Sequence, residues 1–381
     1  MTGVTTQRPA RFQLLDYLRF IAAAMVVVMH YTVNGIANGK VTSLSPNDWA
    51  TPWAKYGYLG VSLFFIISGF VITKSAHGKT ARQFAVGRAV RLYPAFWVAL
   101  IFTSTLALFL ANEKMEVTGK QIAANFTMLS TKLGQPLVDG AYWTLVYELQ
   151  FYAMIFAFLF FGLSKRLNAW FPVWVLLMVV ASVIRPDAAE SLPGAGGYYF
   201  LFAAGALIAM IRDNGPRWHT VLPLVASWVM SLRFGMKEAG EFLENKGSDV
   251  SPIVVAVILT LFFLAVLSMC VPRVAGLQLP AAQPIGALTY PVYLLHAHFG
   301  YMMLDNFATD STKWLVYPVL LVSLIALAQG LHWLVETGPR LAWWKRTFDQ
   351  TLGALVDRVQ PARWRTVDAP ARSERPARVS D

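Results

Sequence analysis

Cysteine is almost absent: Cys270 is the only one in 381 residues. That excludes an intramolecular disulfide and any cluster of thiolate metal ligands. Charge is scarce as well, at 14% Asp, Glu, Lys and Arg, against about 25% in soluble domains. The sequence has no Walker-type phosphate loop, no dinucleotide fingerprint and no His-Glu-x-x-His pair, which removes the commonest nucleotide, nicotinamide and zinc-peptidase chemistries. It shows no internal repeat of useful length, and no matched pair of Gly- or Pro-broken helices such as inverted-repeat transporters carry.

What fills the space is apolar. Hydrophobic residues make up 56% of the chain and the mean hydropathy is +0.49. Runs of roughly 17–25 apolar residues are long enough to cross a bilayer. Candidate spans fall at 16–36, 56–73, 93–111, 142–163, 169–184, 197–211, 218–232, 251–270, 286–304 and 314–336. Trp53, Tyr93, Trp143, Trp170, Tyr198, Trp218 and Trp314 sit near their ends, as in an interfacial aromatic belt. The moderately apolar stretch 120–133 is expected to lie on the membrane surface or dip into it. The first span is not read as a signal peptide, because Asp16 and Arg19 interrupt its start and no clean cleavage site follows.

With the N-terminus in the cytoplasm, 21 of the 32 Lys and Arg residues fall in cytoplasmic segments and 10 outside. This positive-inside bias sets both termini in the cytoplasm. It also explains the net charge of +11 without nucleic acid as a partner. The expected fold is therefore all-α and polytopic, with about ten transmembrane helices around a central polar cavity. Residues 1–13 form a cytoplasmic N-terminal segment and 14–340 the membrane domain. Residues 341–381 form a basic cytoplasmic tail: an interfacial helix through Trp343 and Trp344, then a disordered remainder whose Arg residues touch lipid headgroups.

Charged and polar groups inside spans cost at least ~2.5 kcal/mol each on insertion scales, so those that remain have partners or a function. Span 1 carries Asp16, Arg19, His30 and Asn34. At about 100° per residue, Arg19 and His30 share a face, about 16 Å apart along the axis, and Asp16 is spaced to pair with Arg19. Glu148 lies in span 4, beside Tyr147, where it either bonds a neighbouring helix, orients an imidazole or holds a substrate hydroxyl. Arg88 and Arg91 lie in the basic loop 74–92, three residues apart. They are either a topology signal or an anion site. Tyr290, Tyr293 and His296 form a stripe at successive i+3 steps in span 9. His296 and His298 point about 200° apart around a helix, so no metal site is expected. His332 and Glu336 are spaced to pair near the end of span 10, and Cys270 reads as an inert thiol.

These residues resemble a known family, the membrane-bound acyltransferase family 3. Leu15-Asp16-Tyr17-Leu18-Arg19-Phe20 with His30 is similar to the family's opening segment and its Arg-x10-His motif. Gly60 to Phe70, containing Ser68, resembles its second-span signature. Arg88-Ala89-Val90-Arg91 matches its Arg-x-x-Arg, Trp143 to Glu148 its Trp-Ser-Leu-x-x-Glu, and Tyr290 to His296 its late Tyr-x-x-Tyr-Leu-x-His. Tyr17 and Phe20 stand where glycines are usual, and Thr144 where Ser is usual. The resemblance runs from about residue 14 to 340.

The resemblance implies an O-acyltransferase of the plasma (inner) membrane that uses cytoplasmic acyl-CoA, by default acetyl-CoA, as co-substrate and binds no permanent cofactor. The acceptor it implies is a hydroxyl of an exported or surface carbohydrate, either a glycan or a lipid-linked sugar. On this reading His30, Arg19 and Glu148 are catalytic, with His30 as general base. Arg88, Arg91 and Ser68 hold the donor. Asp16, Asn34, Tyr147, Tyr290, Tyr293 and His296 support the site. Some relatives carry a fused serine-hydrolase-like domain; this sequence holds none, so it is expected to act alone or with a separate extracytoplasmic partner. A transporter using Asp16, Arg19, His30 and Glu148 as a proton or substrate pathway is the rival class, and an inactive structural membrane protein is the third.

Overall fold

The computed structural model describes residues 12–186, 189, 192–246 and 249–365. The described chain is 80% helical and has no strand. Ten long helices run in sequence: α1 Gln13–Met29, α2 Gly60–Ala76, α3 Ala81–Leu110, α4 Trp143–Phe160, α5 Leu167–Ile184, α6 Tyr199–Asn214, α7 Trp218–Lys246, α8 Pro252–Leu267, α9 Ala282–Phe307 and α10 Lys313–Glu336. A shorter α11, Gly338–Phe348, follows. With short connections at one end, successive helices run antiparallel.

The protein is a multi-pass membrane protein. Among the described residues, seven helical segments are long and apolar enough to cross a membrane: Gln13–Ala37, Thr51–Ala76, Ala81–Leu110, Gly140–Phe160, Ser164–Ile184, Pro252–Cys270 and Lys313–Glu336. The remaining stretches of the about ten expected from sequence are occupied by α6, α7 and α9, which do not reach that length or apolarity. Each shortfall has a physical cause. Helix α6 has only 16 residues, about 24 Å of rise. It is buried on every side from Tyr199 to Ile211, so protein rather than lipid sets its length. Helix α7 carries Arg233, Lys237 and Glu238. Helix α9 carries His296, His298, Tyr290 and Tyr293, because it lines the site.

Helix α6 is the packing centre and lies closely against α2. A Cβ on Gly69 would stand 2.0 Å from the Phe202 carbonyl oxygen, and one on Gly205 2.0 Å from that of Ile66. Only glycine admits this backbone approach, the small-residue device of helix pairs in lipid.

Helix α3 begins at Ala81, capped by the reciprocal bonds of Thr80 and Gln83. The expected loop 74–92 is thus largely helix. Arg88 and Arg91 lie on α3 and face a cavity rather than lipid, which is why their charge resembled a loop. Trp97 on α3 donates its indole N–H to the Phe126 carbonyl at 2.9 Å. The segment 119–133 therefore descends alongside α3, about 20 Å from that helix's far end. The ordered chain also continues past α11 to Arg365, where disorder was expected. Arg82 binds Asp349 and Asp357, and Gln360 donates to the carbonyls of Leu159 and Phe160 at 3.3 and 2.8 Å. Residues 366–381 lie outside the described chain.

Candidate functional site

Two contiguous cavities open among α1, α2, α3, α4, α9 and α10. The wider is a vestibule of about 900 Å³ at the end of the bundle where α1 and α3 begin; Asp16, Arg19, Arg88, Arg91, His332 and Glu336 line it. The narrower is an inner chamber of about 110 Å³, lined by Ser68, Thr144, Glu148, Tyr152, Thr289 and Tyr293 among apolar side chains such as Phe64, Val61 and Leu145. Arg19, Arg88, Arg91 and Gly286 belong to both, so the arginines form the neck.

The three guanidinium groups differ in their partners. Arg91 pairs with Glu336 at 2.8 Å, and His332 meets the other oxygen of the same carboxylate at 2.8 Å. Arg91 also lies over the Tyr290 ring, whose hydroxyl donates to the Leu92 carbonyl at 3.0 Å. Arg88 lies over Phe84 and Tyr152 and has no ion pair among the described residues. Arg19 was expected to pair with Asp16. Instead the Asp16 carboxylate lies against α9, where a Cβ on Gly286 would stand 2.3 Å from its Oδ1.

Glu148 sits inside the chamber. It accepts from the Tyr152 hydroxyl at 2.5 Å and from Ser68 at 3.5 Å. The expectation that it orients an imidazole is not met, since no contact joins it to His30. Tyr152, one turn along α4, is a chamber residue that the sequence reading missed, although its i+4 spacing from Glu148 was visible. Tyr147 points elsewhere, into an aromatic cluster with Trp143, Tyr198 and Tyr199.

His30 does not line the chamber, contrary to the expectation of a shared cavity with Arg19. It begins a π-helical turn, His30–Asn34, at the end of α1, a feature that often marks functional helices. Its ring meets His296 of α9, with centroids 4.8 Å apart and His296 Nε2 3.2 Å from His30 Nδ1. The ring of Tyr293, which closes the chamber, lies 5.4 Å from that of His296.

Hydrogen bonding fixes the tautomers. His30 Nδ1–H donates to the Val26 carbonyl at 2.9 Å, and His296 Nδ1–H donates to that of Tyr293 at 2.7 Å. The lone pair of His296 Nε2 then faces His30 Nδ1–H, and His30 Nε2 is left as an acceptor. His30 is half-buried, and among the described residues its side-chain hydrogen bonds both involve Nδ1.

Around the pair, Asn34 donates to the Tyr301 hydroxyl at 2.8 Å. The Tyr293 hydroxyl donates to the Ala141 carbonyl at 3.0 Å, and Thr144 lies 2.7 Å from the same hydroxyl. Two groups missed in the sequence complete this region. Asp139, fully buried in the loop before α4, accepts from the N–H groups of Ala141 at 2.8 Å and His298 at 2.9 Å. Burial acts to raise its carboxyl, but His298, His296 and these two N–H groups outweigh burial and hold it below the ordinary value. Lys40 donates to His298 Nε2 at 2.6 Å. Burial lowers its ammonium, with Asp139 acting in the opposite sense. Both had read as ordinary loop charges.

A family profile described as an acyltransferase domain matches residues 12–333. Among curated proteins, the chain is 28% identical over 255 residues to the exopolysaccharide production protein ExoZ of Rhizobium meliloti, covering 63% of this chain and 75% of that one. It is 25% identical over 355 residues to nodulation protein 10 of Rhizobium leguminosarum bv. viciae, covering 83% and 90%. It is 29% identical over 164 residues to the peptidoglycan O-acetyltransferase OatA of Listeria monocytogenes, covering 38% and 24%. No solved structure matches the chain.

Proposed function

The chain belongs to the acyltransferase domain family, and from that premise we propose that it transfers an acyl group, acetyl by default, from acyl-CoA to a hydroxyl of an exported or surface carbohydrate. On this reading it sits in the plasma membrane with both termini cytoplasmic. The observation that carries the reading is the arginine neck joining a wide vestibule to a small inner chamber. Coenzyme A is a polyanion with a narrow thioester arm. Arginines bind its phosphates through charge-assisted bonds, and the apolar chamber with Ser68, Glu148 and Tyr152 suits the arm and its acyl end. Relatives named for exopolysaccharide and peptidoglycan support a carbohydrate acceptor.

The chemistry needs one base. The acceptor hydroxyl gives its proton to His30 Nε2 as its oxygen attacks the thioester carbonyl. The carbon–sulfur bond breaks, the ester forms, and the imidazolium returns the proton to the departing thiolate. Because Tyr293 and His296 stand between chamber and base, transfer requires Tyr293 to swing aside once the donor is seated.

The test is a His30→Ala variant reconstituted with radiolabelled acetyl-CoA and an oligosaccharide acceptor. Acyl-CoA binding is expected to persist while transfer falls by at least ~100-fold, the lower bound for losing a general base. Transfer at the unaltered rate would remove His30 from the mechanism.

A further inference from the structure

The carboxylates of the site divide into two groups. Glu148 belongs with Ser68 and Tyr152 in the chamber. Asp139 is on the other side of Tyr293, fully buried, in the turn that leads into α4. That turn holds α9 at two places. Asp139 accepts from the His298 N–H at 2.9 Å, and the Tyr142 hydroxyl donates to the Leu294 carbonyl at 3.3 Å. These ties are one helical turn apart, and His296 lies between them. Ala141, from the same turn, accepts from Tyr293 at 3.0 Å. The loop 139–142 thus fixes both the ring that closes the chamber and the ring that touches His30. An ionised group with no exposed surface is costly unless it is bonded and balanced. Here Lys40, 2.6 Å from His298 Nε2, supplies the nearby positive charge.

We propose that Asp139, rather than Glu148, is the positioning carboxylate of the His30–His296 pair, acting by clamping the turn of α9 that carries His296. The inference rests on the reading of His30 as the proton acceptor. Asp139 touches no reacting atom. It sets where His296 Nε2 sits, which together with the Val26 carbonyl keeps the His30 proton on Nδ1 and leaves Nε2 free to accept one.

The experiment compares Asp139→Asn, Tyr142→Phe and Glu148→Gln in lipid nanodiscs, with acetyl-CoA as donor. Asp139→Asn is expected to lower kcat at least ~10-fold while KM for acetyl-CoA stays within about twofold. Glu148→Gln is expected to raise that KM instead. Tyr142→Phe keeps the ring and loses one tie, so kcat falls about three- to tenfold; it decides the matter if Asp139→Asn does not fold. Ring 15N shifts of labelled histidine give a readout that needs no turnover: one fixed Nδ1–H tautomer for His30 in the parent, and mixed tautomers in Asp139→Asn. An unchanged kcat with unchanged histidine signals overturns the proposal, as does equal loss of donor binding and kcat. If His30→Ala still transfers normally, the base assignment falls, whereas the tautomer signals continue to report on the clamp.

Discussion

At the residue scale, the arginines of the neck are not equivalent. Arg91 is already paired with Glu336 and stacked on Tyr290, whereas Arg88 has only aromatic neighbours and the Tyr152 hydroxyl. A phosphate entering the vestibule binds Arg88 without displacing an acid, but must compete with Glu336 for Arg91. Arg88→Ala is therefore expected to raise the KM for acyl-CoA about tenfold, and Arg91→Ala about threefold, on the scale of one charge-assisted bond against one already offset. Glu336→Gln is expected to lower it. Initial rates across donor concentrations check this, and equal effects at the two arginines count against it.

The polar residues of the spans could be read from sequence, because charge in an apolar run stands out. Their grouping could not. Glu148 and His30 looked like partners because both were buried and polar, yet Tyr293 and Thr144 separate them. Asp139 and Lys40 went unnoticed because a loop charge carries no such signal.

At the element scale, the helices with charged ends were the hardest to bound. The boundaries of α4, α5 and α10 fall within a few residues of their expected positions, since lipid imposes length and apolarity on them. Helix α3 escaped that rule because its first turns carry Arg82, Arg88 and Arg91, and α7 because Arg233 and Lys237 lie beyond its apolar run. Helix α6 is fixed instead by its contact with α2. Gly69→Leu is expected to wedge the two apart at the Phe202 carbonyl. Overpacking of this kind costs about 1–3 kcal/mol, and more where backbone cannot yield. The measurement is thermal unfolding followed by size-exclusion chromatography in detergent, where a Tm equal to the parent's would refute the close contact. Gly87→Leu, with open space around its position, serves as the tolerant control.

At the scale of the whole molecule, the site falls into two parts on either side of Tyr293. The vestibule and chamber together reach inward to Tyr293, and His30 lines neither. The partition predicts that the protein does not conduct protons. An aqueous path through the bundle would let protons run down the potential, whereas the rings of Tyr293 and His296, 5.4 Å apart, stand across that path. Vesicles carrying the protein and a trapped pH-sensitive dye should keep an imposed gradient as long as protein-free vesicles do, with or without acetyl-CoA outside. Rapid collapse would mean that a continuous wet channel exists. On the proposed function, acyl groups would then cross the bilayer without draining the proton-motive force.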